Sequence, residues 1–192
     1  MADAADNRAG LLSAEHSLLL IVDMQGRLLE AMPPADAQTM LNTAVKLLKA
    51  AAWLDVPVLL TEQYPKGLGH TSETVKQALP DTAQCFEKTA FSCCGSDAVT
   101  QALRGSAKSQ IVIAGQEAHV CVLQTAFDLL RQGFEVFVVE DAVCSRAVRH
   151  KENALRRMRQ AGAGIVCHES VLFEWLRDAS HPQFKSISAL LR

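Results

Sequence analysis

The chain has 192 residues, 49% of them hydrophobic and 21% charged. At ~150 residues per domain that is one globular domain over residues 1–192, and the composition excludes disordered and collagen-like chains. Nineteen basic and 21 acidic residues leave a net charge of -2, which speaks against a nucleic-acid partner.

Residues 1–15 are polar and acidic, without the basic and long apolar regions of a signal peptide. The apolar run 18–22 is too short to span a bilayer, so no membrane role is expected. The chain holds 6 cysteines and no CxxC, which points to a reduced, cytoplasmic protein rather than a disulfide framework. A targeting segment missing from the sequence is the alternative.

Short apolar, β-branched runs alternate with helix-period stretches. The first strand is predicted over 17–22. A helix follows over 35–54, opened by Pro33-Pro34 and closed by Asp55-Val56-Pro57, with Leu41, Val45, Leu48 and Ala52 on one face. A strand over 56–61 leads into a loop, 62–71, that carries Pro65, Gly67 and Gly69. A short helix over 72–79 stops at Pro80, and 84–88 reads as a third strand. Ser96 is the predicted N-cap of a helix that ends at Gly105. Beyond it come strand 110–114, helix 120–132, strand 134–140, helix 148–161 and strand 164–167. Helices over 170–177 and 182–191 close the chain. Such alternation predicts an α/β/α sandwich of three layers, with a six-stranded, mainly parallel, Rossmann-like sheet covered on both faces.

In an open parallel sheet, ligands bind outside the carboxyl ends of the strands. Asp23, Met24 and Gln25 lie there after the first strand, and Glu62, Gln63 and Tyr64 after the second. Lys88 and Ser92 follow the third, Gly115 to Cys121 the fourth, and Asp141 the fifth. An acid, a lysine and a cysteine thus share one edge. Cys121 begins a helix, whose N-terminus favours thiolate, as a nearby lysine would. A carboxylate beside it could take the thiol proton, and backbone N–H groups of the preceding turn and of Cys121 could form an oxyanion hole. Position alone leaves two readings open, a nucleophile or a small buried hydrophobe.

Three segments resemble the signatures of the isochorismatase-like cysteine hydrolases. They are Ile21-Val22-Asp23-Met24-Gln25, then Glu87-Lys88-Thr89-Ala90-Phe91-Ser92, then Ala114-Gly115-Gln116-Glu117-Ala118-His119-Val120-Cys121-Val122-Leu123-Gln124-Thr125-Ala126. They stand in the family's order, and the resemblance covers nearly the whole chain. The loop 61–69 and the tail segment 181–185 resemble the subgroup of uncharacterised isochorismatase-domain proteins. The resemblance implies a catalytic triad of Asp23 as base, Lys88 as the cation holding it, and Cys121 as nucleophile. It also implies a non-proline cis peptide at Gln116-Glu117, with Glu117 and Cys121 contributing backbone N–H groups to the oxyanion hole. Nicotinamidases in this family carry an Asp-x-His metal site with a further histidine after the second strand. Here that stretch reads Glu62-Gln63-Tyr64 with His70 nearby, so neither a metal nor nicotinamide is expected.

Other residues keep two readings. Gln25, Tyr64 and His119 are candidate substrate contacts. Tyr64 could equally be a packed loop anchor, and His119 a capping or surface residue. Cys93-Cys94 reads as a turn, Cys85 and Cys167 as inert core. The resulting expectation is a hydrolase needing no cofactor or metal. It would cleave an amide-like C–N bond of a small molecule through a covalent Cys121 intermediate, and Cys121 would be the thiol alkylated fastest near neutral pH. The rivals are a binding or scaffold protein that keeps the fold, and a redox protein without a resolving cysteine close in sequence. The amphipathic tail, with Phe184, Ile187, Leu190 and Leu191, points to a homo-oligomer.

Overall fold

The computed structural model describes residues 10–192, so the first nine residues of the expected 1–192 domain lie outside the described residues. The elements in chain order are β1 (Ser17–Val22), α1 (Gly26–Glu30), α2 (Pro34–Trp53), β2 (Val58–Gln63), α3 (Pro65–Leu68), α4 (Glu73–Lys76) and β3 (Gln84–Lys88). Then follow α5 (Asp97–Gly105), β4 (Gln110–Gln116), α6 (Leu123–Arg131), β5 (Glu135–Cys144), α7 (Val148–Gln160), β6 (Gly164–Val166), α8 (His168–Leu176) and α9 (Phe184–Ala189). A 3-10 turn at Cys93–Gly95 precedes α5, and a π turn at Ala118–Val122 precedes α6.

The six strands form one sheet in the order β3-β2-β1-β4-β5-β6, and every pairing is parallel. The period of two along each strand divides the core. Leu19, Ile21, Val112, Ala114, Phe137 and Val139 pack on one face against α2, α8 and α9. Leu18, Leu20, Ile111, Ile113, Val136 and Val138 pack on the other against α5, α6 and α7. Burying both faces of β1 and β4 explains why these strands are continuous apolar runs.

Several expectations need correction. Strand β2 begins later than predicted, because Asp55 turns the chain at φ +54 and Val56 belongs to that turn. Strand β5 runs on to Cys144, with a register shift against β4 between Ile113 and Gly115. Helix α1 is an addition to the predicted elements; its five residues are too few to show a helical period. Cys85 is exposed rather than core, because β3 is the edge strand. Cys167 is half-buried at the start of α8, its Sγ 3.2 Å from Ser170 Oγ. The tail folds onto its own chain: Ile187 is fully buried, and Phe184, Leu190 and Leu191 pack against the same core cluster. Its apolar face is therefore not a free surface awaiting a partner.

Candidate active site

The chain runs from β1 outward through β2 to β3, then returns to place β4 on the other side of β1. The switch point lies between β1 and β4, and Asp23 and Cys121 flank it. Asp23 follows β1 in the left-handed region at φ +52, which Asp tolerates better than most side chains. Its N–H still donates to Thr61 O, so the ladder holds the turned residue at the sheet edge. Gly115 on β4 pairs with Val22, the residue before Asp23. A Cβ there would lie 2.0 Å from Val22 O, at a φ of +130, so glycine alone lets the two strand ends approach.

Asp23 is fully buried. Its Oδ2 accepts from Lys88 Nζ at 2.7 Å and its Oδ1 from Thr61 Oγ1 at 2.7 Å. Lys88 Nζ also donates to Gln63 Oε1 at 2.7 Å, Phe91 O at 3.1 Å and Ala90 O at 3.2 Å. Burial pushes the Asp23 carboxyl above its ordinary value, against the pull of Lys88. The Cys121 thiol is 5% exposed within the π turn, near enough to Asp23 for the carboxylate charge to act on it. Burial first, and then the Asp23 charge, drive the thiol pKa upward, with Lys88 opposing. Burial and the Asp23 charge thus oppose the thiolate that Lys88 favours.

The Gln116–Glu117 peptide is cis. Glu117 turns its carboxylate away from Asp23 to Arg146, accepting from Nε at 3.0 Å and from the Arg146 N–H at 3.1 Å. Burial raises its pKa, but the hydrogen bonds and charge of Arg146 outweigh this and hold it below the ordinary range. Gln116 anchors the turn by donating from Nε2 to Asp23 O at 3.1 Å.

The other candidates separate. Gln25 is fully buried. Its Nε2 donates to the carbonyls of Gln63 and Gly69, and its Oε1 accepts from the Gln63 N–H. With both ends of the carboxamide bonded to backbone, it braces the loop. Tyr64, at φ +37, is half exposed. Its ring lies where a Gly67 side chain would be, so it is both a loop anchor and a wall of an open cavity. That cavity, of about 410 Å³, is lined further by Pro65, Lys88, Thr89, Gly95 and Ser96. His119 points elsewhere, to Ser145 Oγ at 3.0 Å, with its ring 4.6 Å from that of His150. The Glu62 carboxylate is taken up by the N–H and hydroxyl of Thr71 and by His70 Nδ1 at 2.8 Å. No group of three or more potential metal ligands occurs among the described residues.

Sequence reading gave no role to Thr61, Gln63 or Cys93. The buried Cys93 thiol lies 3.6 Å from Thr61 Oγ1, and its N–H donates to Thr125 Oγ1 at 2.9 Å, one turn beyond Cys121. Cys93-Cys94 does form a turn, but one that places Cys93 against the site.

Fold and site together define an α/β protein whose buried acid, lysine and cysteine meet at the switch point of a Rossmann-like sheet. The isochorismatase domain model matches residues 17–170, and the chain belongs to the isochorismatase family of hydrolases. It is 40% identical over 192 residues to mouse isochorismatase domain-containing protein 2A, covering 98% of this chain and 89% of that one. Among solved structures it is similar to the MAR1 ribonuclease of Caenorhabditis elegans, with TM-score 0.89, 36% identity and coverage of 95% and 92%. It is also similar to the Escherichia coli YcaC protein, described as an octameric hydrolase of unknown specificity, with TM-score 0.86, 26% identity and coverage of 94% and 89%.

Proposed function

We propose that this protein is a cysteine hydrolase that cleaves a C–N bond of an amide-like group in a small molecule. The observation that carries this reading is the fully buried Asp23–Lys88 pair set against the Cys121 thiol. A charged pair without solvent is costly, and a scaffold would gain nothing from it. In this reading Asp23 takes the thiol proton as Cys121 Sγ attacks the carbonyl carbon. The oxyanion gathers on the N–H groups of Glu117 and Cys121. Asp23 then passes the proton to the leaving nitrogen, and the C–N bond breaks to leave a thioester. Water, deprotonated by Asp23, releases the acid and restores the thiol. Tyr64 forms one wall of the substrate cavity, and no step calls on a metal or cofactor.

The test is a hydrolysis screen over small amides and carbamoyl compounds, with an RNA oligonucleotide included because structural neighbours bear a ribonuclease name. Wild type should release amine where Cys121→Ala does not, with or without chelator. If wild type turns over no compound beyond that control, the binding-protein reading gains. RNA cleavage lost in Cys121→Ala would replace the small-molecule substrate. We also propose a homo-oligomer, supported by the octameric YcaC neighbour, and a cytoplasmic site, supported by six free thiols. Light scattering at micromolar concentration checks the first.

A further inference from the structure

Asp23 and Lys88 are rooted on strands that do not touch. Strand β2 lies between β1 and β3, so their backbones are separated by two strand spacings, about 10 Å. The four-carbon stem of Lys88 spans that gap, crossing the carboxyl end of β2. Two β2 residues stand where it crosses. Thr61 pairs in register with Val22 on one side and Phe86 on the other, and Gln63 pairs with Lys88 itself. Being two apart, they share one face of the strand.

We propose that Thr61 and Gln63 are positioning residues for the acid–cation pair, Thr61 fixing the carboxylate of Asp23 and Gln63 the ammonium of Lys88. The proposal rests on the reading of Asp23 as the base for Cys121. Thr61 Oγ1 gives its only proton to Asp23 Oδ1 at 2.7 Å, which leaves the carboxylate one preferred rotation. Gln63 Oε1 accepts from Lys88 Nζ at 2.7 Å while its own Nε2 donates to Thr89 O at 2.7 Å, so the amide cannot turn. Gln25 locks the same residue from behind through its backbone. The three protons of Lys88 face four oxygens within 3.2 Å, and none is free for a substrate. Lys88 therefore acts through Asp23, and β2 decides which carboxylate oxygen it holds. The titratable groups around Asp23 are Lys88 from β3, Cys121 from the π turn and Cys93 from the 3-10 turn.

The readout is the alkylation rate of Cys121 by iodoacetamide, followed by peptide mapping across the pH range in which the protein stays folded. The rate should rise through a limb set by loss of the first proton from the Asp23–Cys121 pair. Thr61→Val removes a hydrogen bond to the charged form and should move that midpoint up by about one pH unit. Thr61→Ser keeps the hydroxyl and should restore it. Gln63→Glu, of the same shape, draws Lys88 toward a second carboxylate and should move the midpoint the same way, which keeps the test open if Thr61→Val does not fold. Variants that slow alkylation equally at every pH, or a Thr61→Ser midpoint no closer to wild type than that of Thr61→Val, would overturn the positioning role. Asp23→Asn separates the two levels. If Asp23 is the base, the limb left in Asp23→Asn belongs to the thiol alone and Thr61→Val no longer moves it; if Thr61→Val still moves the midpoint by as much in that background, the underlying reading fails.

Discussion

Lys88→Met keeps the stem of the lysine and deletes its charge. Both side chains of the Asp23–Lys88 pair have no exposed surface, so water cannot replace the lost partner. Removing one member of a buried pair typically costs about 3–5 kcal/mol, because the other charge is left uncompensated. For a chain of this size each kcal/mol lowers Tm by roughly 2–4 °C, so a fall of about 6–20 °C is expected at neutral pH. The pH dependence gives a sharper check. Burial already raises the Asp23 carboxyl from 3.8, and without Lys88 nothing comparable holds it down. A carboxyl raised by folding binds its proton more tightly in the folded state. The stability it contributes is complete at low pH and is lost as pH rises from the unfolded value through the folded one. The deficit of Lys88→Met should therefore grow with pH across that window, by at most about 1.4 kcal/mol per unit. Urea unfolding at a series of pH values measures it, and Asp23→Asn combined with Lys88→Met should recover part of the loss. A deficit that is flat with pH, or a Tm equal to that of wild type above neutrality, would refute the argument.

Gly115→Ala sets a Cβ 2.0 Å from Val22 O, a backbone atom that moves only with the β1 end carrying Asp23. Strain and overlap together should cost about 3 kcal/mol or more by urea unfolding, and a cost under ~1 kcal/mol would contradict the close approach. Arg146→Ala leaves the buried Glu117 carboxylate with the backbone N–H of residue 146 but without the guanidinium. Because Glu117 is held below its ordinary range, its pairing stabilises the fold above the unfolded value of 4.5 and is lost as pH falls through the folded value. With Arg146 57% exposed, screening limits the loss to about 1 kcal/mol at neutral pH, shrinking toward acid. Thermal melts at two pH values would show this, and a loss that grows toward acid would reverse the reasoning.

How much of this was legible in the chain depended on how local the cause was. β1 and β4 are buried on both faces, so their apolar runs announced themselves, and the alternation with helices carried the parallel sheet. The sheet's carboxyl edge follows from chain direction, which is why Asp23, Lys88 and Cys121 could be gathered on one side before any contact was known. Burial and pairing are decided by neighbours distant in sequence. Cys85 reads as a core residue until β3 proves to be the edge, and the tail's apolar stripe reads as an interface until α9 packs on its own core. Gln25 stands two residues from Asp23 in the sequence, yet its amide belongs to the backbone of the next strand. The order β3-β2-β1 makes Lys88 reach over Thr61 and Gln63, and no spacing in the chain encodes that crossing. The same packing removes water from Cys121 and sets the Asp23 charge near it, and both push the thiol pKa upward, a burial effect that no local stretch of sequence carries.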